Sequence, residues 1–142
     1  MAQSVPEKYL DLFQKPAFAN LATLMPDGSP QVTPMWVDYD GRHILFNTAL
    51  GRVKDKNMRR DSRVSLNVID PADPYRYLEI RGKVVDVTQD GADQHIDKLA
   101  QKYLNVAKYP FRQPGEQRVI FRIEPERICE SLRARRESAT KK

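Results

Sequence analysis

Short strand-like runs dominate the chain, and three stretches break their period in favour of a helical one. Ser4-Val5-Pro6-Glu7 has the form of a capping box with proline in the first turn, and Tyr9, Leu10 and Phe13 supply an apolar stripe, so a helix is expected over 5–15, ended by Pro16. A strand follows over 18–24. Pro26-Asp27-Gly28-Ser29 has turn chemistry, a second strand covers 31–39, and Asp40-Gly41 turns the chain into a third over 43–48. Val53 and Met58 lie among charges in a short helix over 53–60. Residues 63–69 alternate cleanly as a fourth strand, and a loop over 70–74 leads to a long strand over 75–87. Gly82 in its middle marks a bulge or a tight barrel bend. Asp90 is expected to cap a helix over 92–108, with Ile96, Leu99, Ala100, Tyr103 and Leu104 on one face; the last strand covers 118–123 and resumes near Ile128. Six or so antiparallel strands with few helices predict a mainly β protein, a small β-barrel with accessory helices.

The 142 residues make one domain's worth of chain, 1–142, with flexible tails expected at 1–4 and 133–142. Hydrophobic residues at 40% and charged residues at 30% describe a globular chain and exclude a disordered one. The longest apolar runs, such as Ile44-Leu45-Phe46, are too short to span a membrane. The start, MAQSVPEKYLDLF, lacks the basic and apolar regions of a secretory signal, and the single cysteine, Cys129, fits a reducing compartment; the expectation is a cytoplasmic protein.

The net charge of +5 is local. Arg52, Lys54, Lys56, Arg59, Arg60 and Arg63 face only Asp55 and Asp61, an excess of four, and the tail 133–142 carries another excess of four. The tail is expected to be solvated, whereas the internal cluster is held between two strands. No zinc-finger spacing or RNA-recognition aromatic motif accompanies it, so nucleic acid is not the expected partner.

No hydrolytic or nucleophilic site is legible, and no catalytic residue can be named. His43 and His95 are the only histidines; both are expected at the surface, without metal-binding spacing, and a metal is not expected. The common glycine-rich nucleotide loops are absent. The junction Asn47-Thr48-Ala49-Leu50-Gly51-Arg52-Val53-Lys54 does stand out. A hydroxyl, a permissive glycine and two cations meet where a strand gives way to a helix N-terminus, an arrangement suited either to a phosphate or to an ordinary solvated helix. In Gln31-Val32-Thr33-Pro34-Met35-Trp36, Pro34 places the strand at a sheet edge or bulge, and Trp36 is either a core residue beside that irregularity or a wall for a flat ring.

These stretches together resemble the split β-barrel flavin and deazaflavin proteins of the pyridoxamine 5′-phosphate oxidase-like superfamily, and within it the deazaflavin (coenzyme F420)-dependent reductases. The resemblance runs from Phe18 to about Ile128 and is carried by Ala22-Thr23-Leu24, 30–36, Asn47-Thr48, Gly51-Arg52-Val53-Lys54, 57–64 and Tyr75-Arg76-Tyr77 leading into Gly82. It implies an FMN-binding-like split barrel that forms a homodimer with cofactor sites at the subunit interface. It assigns the phosphate to Arg52 and Lys54, with Asn47, Thr48, Gly51 and Val53 shaping the junction. Gln31, Thr33, Pro34, Met35 and Trp36 would line the ring system, Asn57 and Arg60 would support the phosphate or the acidic tail of F420, and Tyr75 and Tyr77 would come from the second subunit. FMN-using members carry an Arg-Lys pair after Ser or Thr, whereas this chain has Gly51-Arg52-Val53-Lys54, which favours F420 over FMN.

The implied activity is transfer of a hydride from F420H2 to a small unsaturated or quinone-like molecule. An FMN-dependent oxidase or reductase of the same fold, and a non-catalytic carrier of F420 or haem, are the competing readings. The loops over 70–76 and 108–116 are the expected substrate-determining segments.

Overall fold

The computed structural model describes residues 2–140, Thr140 by its backbone alone; Met1, Lys141 and Lys142, which fall within the expected tails, lie outside the described residues. Seven strands form one curled antiparallel sheet: β1 Ala19–Leu24, β2 Pro30–Met35, β3 Asp38–Tyr39, β4 Ile44–Ala49, β5 Arg63–Asp70, β6 Asp73–Thr88 and β7 Arg118–Glu130. Their order across the sheet is β2-β1-β5-β6-β7-β4-β3. Four α-helices accompany them: α1 Asp11–Gln14, α2 Val53–Arg60, α3 Ala92–Leu104 and α4 Leu132–Thr140. This is the mainly β split-barrel architecture expected from the strand pattern and the resemblance.

One side of the sheet closes on a core of Leu21, Ile44, Phe46, Leu66, Val68, Leu78, Ile80, Phe121 and Ile123. All of β4 is buried, and its register with β7 shows why. Ile44, Phe46 and Thr48 share the core face, while Leu45, Asn47 and Ala49 share the other face with Arg118 and Ile120, where Ala92 of α3 joins Leu45 and Ile120 in a second apolar cluster. A strand covered on both faces does not alternate. Pro34 lies on the edge strand β2, where its missing N–H breaks no ladder, as its position in the sequence requires.

Gly82 also behaves as expected: the pairing of β6 with β7 shifts at Arg81/Gly82, and a Cβ there would overlap the Glu124 carbonyl oxygen and Ile123. A second shift at Val84/Asp86 lets β6 and β7 pair over most of their length, so β7 runs unbroken to Glu130 rather than pausing after Ile123.

Several local expectations are corrected. The N-terminal helix is a 3₁₀ turn, Glu7–Tyr9, followed by the single turn of α1; Pro6 stands at the cap position and no side chain caps it. The Ser4–Glu7 capping box does not form because the chain before it is tied to the sheet, Gln3 N donating to Pro125 O at 2.7 Å and Val5 N to the Tyr39 hydroxyl at 3.2 Å. Gly91, in the left-handed region at φ 74°, precedes α3 in place of Asp90, whose own N–H donates to Thr88 Oγ1 at 3.0 Å. Asn105 at φ 56° ends α3 at Leu104, short of residue 108. The segment expected as a solvated tail is helical over α4, with most of its side chains exposed.

Lys102 fastens α3 to the rest of the fold, its Nζ donating to Phe13 O at 2.8 Å and Val37 O at 2.6 Å. Burial pushes this ammonium down from 10.5 to about 8. Between those values the unfolded chain holds the proton that the folded one releases, so folding is favoured progressively as pH rises. The wild type should therefore gain stability between pH 8 and about 10.5 relative to Lys102→Met, read from urea midpoints across that range. Gly82→Ala should destabilise the protein by about 1–3 kcal/mol, the range for overpacking a filled position, in the same measurement.

Candidate functional site

The turn from β4 into α2 sets the site. Gly51, at φ 91°, reverses the chain, and Arg52 stands as the extended cap residue before Val53. Asp55 reaches back to the Gly51 N–H at 2.9 Å and also receives Arg59 Nε at 2.8 Å. This carboxylate in the first turn is thus committed to closing the turn and to Arg59, and pairs with neither Arg52 nor Lys54.

Arg118, the first residue of β7, adds a third cation. It pairs in register with Ala49 and is 4% exposed. Burial lowers its pKa, and its guanidinium lies over the Tyr109 ring at 5.0 Å. Lys54 is half-buried; burial first, then Arg52 and Arg118, hold its ammonium below the ordinary lysine value, and no carboxylate lies within ion-pair distance of it among the described residues. Glu116 is the acid that meets this group, 3.2 Å from Arg52 and 3.4 Å from Arg118. Three cations against one carboxylate leave the junction short of negative charge.

Beside the junction lies a cavity of about 180 Å³. Pro34, Met35 and Trp36 form one wall, Asn47, Arg52 and Arg118 its polar side, and Phe18, Ile96, Tyr109 and Phe111 the remainder. Trp36 stacks on Tyr103 with ring centroids 5.2 Å apart and 6° between planes, and meets Tyr109 edge-on at 5.9 Å. Trp36 is half-buried at this wall rather than enclosed in the core. Tyr103 is itself anchored, its hydroxyl donating to Ala17 O at 2.6 Å and accepting from Val37 N at 3.0 Å.

The polar side is held from behind by Asn47. Its Nδ2 donates to Ala92 O at 2.9 Å and to His95 Nδ1 at 3.1 Å, while its Oδ1 accepts from Arg118 Nε at 2.9 Å. With Nδ1 accepting, the His95 proton sits on Nε2 and is donated to Asp38 Oδ2 at 3.0 Å. Burial pushes the Asp38 carboxyl up, but the His95 hydrogen bond and nearby Lys98 outweigh it and leave it below the ordinary value. His95 is therefore not the surface residue its sequence context predicts: α3 lies across β4, and the ring, 9% exposed, points into this network.

The remaining predicted residues divide. Thr33 and Thr48 have buried hydroxyls with no hydrogen-bond partner among the described residues, and neither lines the cavity. Asn57 is buried and donates to Thr23 Oγ1 at 3.0 Å, which in turn donates to Gln31 Oε1 at 3.3 Å; Arg60 reaches Leu24 O at 3.0 Å and Asn57 Oδ1 at 2.5 Å. Gln31, Asn57 and Arg60 thus clamp α2 to the β1–β2 hairpin and do not line the cavity. Val53 is exposed. Tyr75, 70% exposed, and half-buried Tyr77 lie at the β5–β6 hairpin, and neither lines the cavity of this chain. Asp38, His95, Glu116 and Arg118 escaped sequence reasoning. The one local signal was Arg118, a charge heading the apolar run Val119-Ile120-Phe121.

A phosphate-bearing ring compound fits this arrangement: cations short of a counter-charge stand beside an aromatic wall at the end of an edge strand. Among the described residues no group of His, Cys, Asp and Glu side chains could hold a metal ion, and no helix is long and apolar enough to cross a membrane. Asn47→Ala would leave His95 Nδ1 and Arg118 Nε without partners. It should cost about 2 kcal/mol or more, since each buried unsatisfied group costs about 1–3 kcal/mol, measured by urea unfolding.

Residues 5–131 match the family model described as pyridoxamine 5′-phosphate oxidase. Among solved structures, the chain is similar to an F420 reductase at 37% identity and a TM-score of 0.77, covering 88% of this chain and 98% of that one. It is also similar to a conserved hypothetical protein of Mycobacterium tuberculosis at 25% identity and a TM-score of 0.68, covering 89% and 84%. A putative pyridoxamine 5′-phosphate oxidase of Listeria innocua, 19% identical with a TM-score of 0.67 and coverage of 87% and 95%, shares the fold. The chain belongs to the pyridoxamine 5′-phosphate oxidase-like split-barrel family, in the branch of the F420 reductase that it resembles.

Proposed function

We propose that this protein, acting as a single domain over 1–142, is an F420H2-dependent reductase that passes a hydride to a small unsaturated or quinone-like organic molecule. The observation that carries this reading is the cation excess of Arg52, Lys54 and Arg118 beside an aromatic-walled cavity. Likeness to an F420 reductase at 37% identity supports the same cofactor. So does the Gly51-Arg52-Val53-Lys54 order, which departs from the arrangement of FMN-using members.

A reduced deazaflavin, when bound, supplies the hydride. The protein's part is to bind and orient. Arg52 offers a planar fork and Lys54 a point charge to the phosphate, at a helix N-terminus whose dipole adds to the attraction. Asn47, Gly51 and Val53 shape that junction, and Thr48 underlies it with its side chain on the core face of β4. Thr33, Pro34, Met35 and Trp36 flank the ring system along the edge strand, and Gln31 holds that strand to α2 through Thr23. Asn57 and Arg60 act one step removed, by fixing the helix that carries Lys54. Tyr75 and Tyr77 would complete the site from the second copy in a homodimer, consistent with the exposure of Tyr75. A cytoplasmic location accords with the lone cysteine, and the acidic cofactor accounts for the internal basic cluster without a nucleic-acid partner.

Lys54 stands against two other cations, so its removal should have opposite effects on stability and binding. Lys54→Ala should melt no lower than the wild type when free, yet bind F420 at least tenfold more weakly, since a charge-assisted hydrogen bond contributes about 1.5–3 kcal/mol. Unchanged F420 affinity, measured by fluorescence titration, would remove the phosphate assignment.

A further inference from the structure

The loop between α3 and β7 delivers one acidic side chain to the cation cluster, and the backbone around it is closely determined. Gln113-Pro114-Gly115-Glu116 forms a turn with Gly115 at φ 75° and the Glu116 N–H donating to Gln113 O at 3.1 Å. One residue later the chain is fastened to the end of β4, Leu50 N donating to Gln117 O at 2.9 Å. The Glu116 side chain is consequently only 6% exposed although it sits in a loop.

Its carboxylate divides between two arginines unequally. Oε1 accepts from Arg52 Nη2 at 3.2 Å. Oε2 lies 3.4 Å from Arg118 Nη1, near enough for charge attraction but misaligned, so neither atom completes a hydrogen bond. Arg118 is buried and held by Asn47 and Tyr109, whereas the Arg52 side chain is 45% exposed and has Glu116 as its ion-pair partner. Glu116 thus supplies the charge the cluster lacks while leaving part of its hydrogen-bonding capacity unused.

We propose that Glu116 is a built-in counter-anion that occupies the Arg52–Arg118 pair in the ligand-free protein and competes with the phosphate of the incoming ligand, so that it sets the affinity of the site. This rests on the reading that Arg52 and Lys54 hold a phosphate. An anion arriving at Arg52 meets a guanidinium already engaged and a carboxylate of its own sign. The same contact stabilises the free protein, which would otherwise hold Arg118 buried and without a counter-charge.

Glu116→Gln keeps the shape and removes the charge. With inorganic phosphate as the probe, the thermal midpoint is followed against phosphate concentration at constant ionic strength. The variant should melt lower than the wild type without phosphate, gain more on its addition, and bind phosphate at least fivefold more tightly. Phosphate affinity equal to or weaker than that of the wild type would overturn the proposal and make Glu116 an orienting group for the arginines. Should Glu116→Gln fail to fold, Glu116→Asp, which draws the carboxylate back from Arg52, should still bind phosphate about twofold to threefold more tightly; no gain there would overturn the proposal equally. Lys54→Ala separates the two readings. If that variant retains the wild-type response to phosphate, the phosphate assignment itself fails and the competition with it. If the response is lost in Lys54→Ala but not raised in the Glu116 variants, the assignment stands and the competition alone is wrong.

Discussion

The Asn47 side-chain amide is the point through which the candidate site is assembled. It is a small polar group buried between a sheet and the helix across it, and it is saved from the cost of burial by three partners, on two helical residues and one strand. Ala92 O and His95 fix the amide's direction, and that direction places its Oδ1 where Arg118 Nε can donate. Arg118 then spreads its guanidinium between the Tyr109 ring and Glu116, while Asp38 secures the far side of His95. A set of charges that would repel one another in a looser fold is thereby held at one edge of a cavity.

The cost of that arrangement is electrostatic. Burial and neighbouring cations weaken the charged state of Lys54, burial does the same to Arg118, and the first-turn acid that could have relieved them is taken by Gly51 and Arg59. Local conflict of this kind, left in an otherwise consistent fold, is characteristic of binding sites, where the missing partner is the ligand.

What the sequence revealed depended on whether the information was local. Proline in a strand, glycine in the middle of a long strand, and charges around Val53 and Met58 each constrain their own neighbourhood, and β2 as an edge, the bulge at Gly82 and α2 over Val53–Arg60 were legible from them. The N-terminal capping box and the Asp90 cap were local patterns overridden by longer-range hydrogen bonds or by a left-handed glycine. The network around Asn47 was not legible at all. Its members come from β3, β4, α3 and β7, and only the register of β4 with β7 and the docking of α3 bring them together. For the same reason His95 reads as an ordinary helical histidine in the sequence, and Glu116 as a loop acid beside Pro114 and Gly115.

The proposed function requires the cation cluster and the aromatic cavity to form one site for a deazaflavin. Trp36, the single tryptophan, lies in the wall of that cavity and reports on its contents. Titrating the protein in parallel with F420 and with FMN, and following Trp36 fluorescence at two salt concentrations, puts this requirement to the test. F420 should quench saturably, with an affinity that falls as salt is raised, and FMN should give little response. Tight FMN binding with no F420 binding would contradict it.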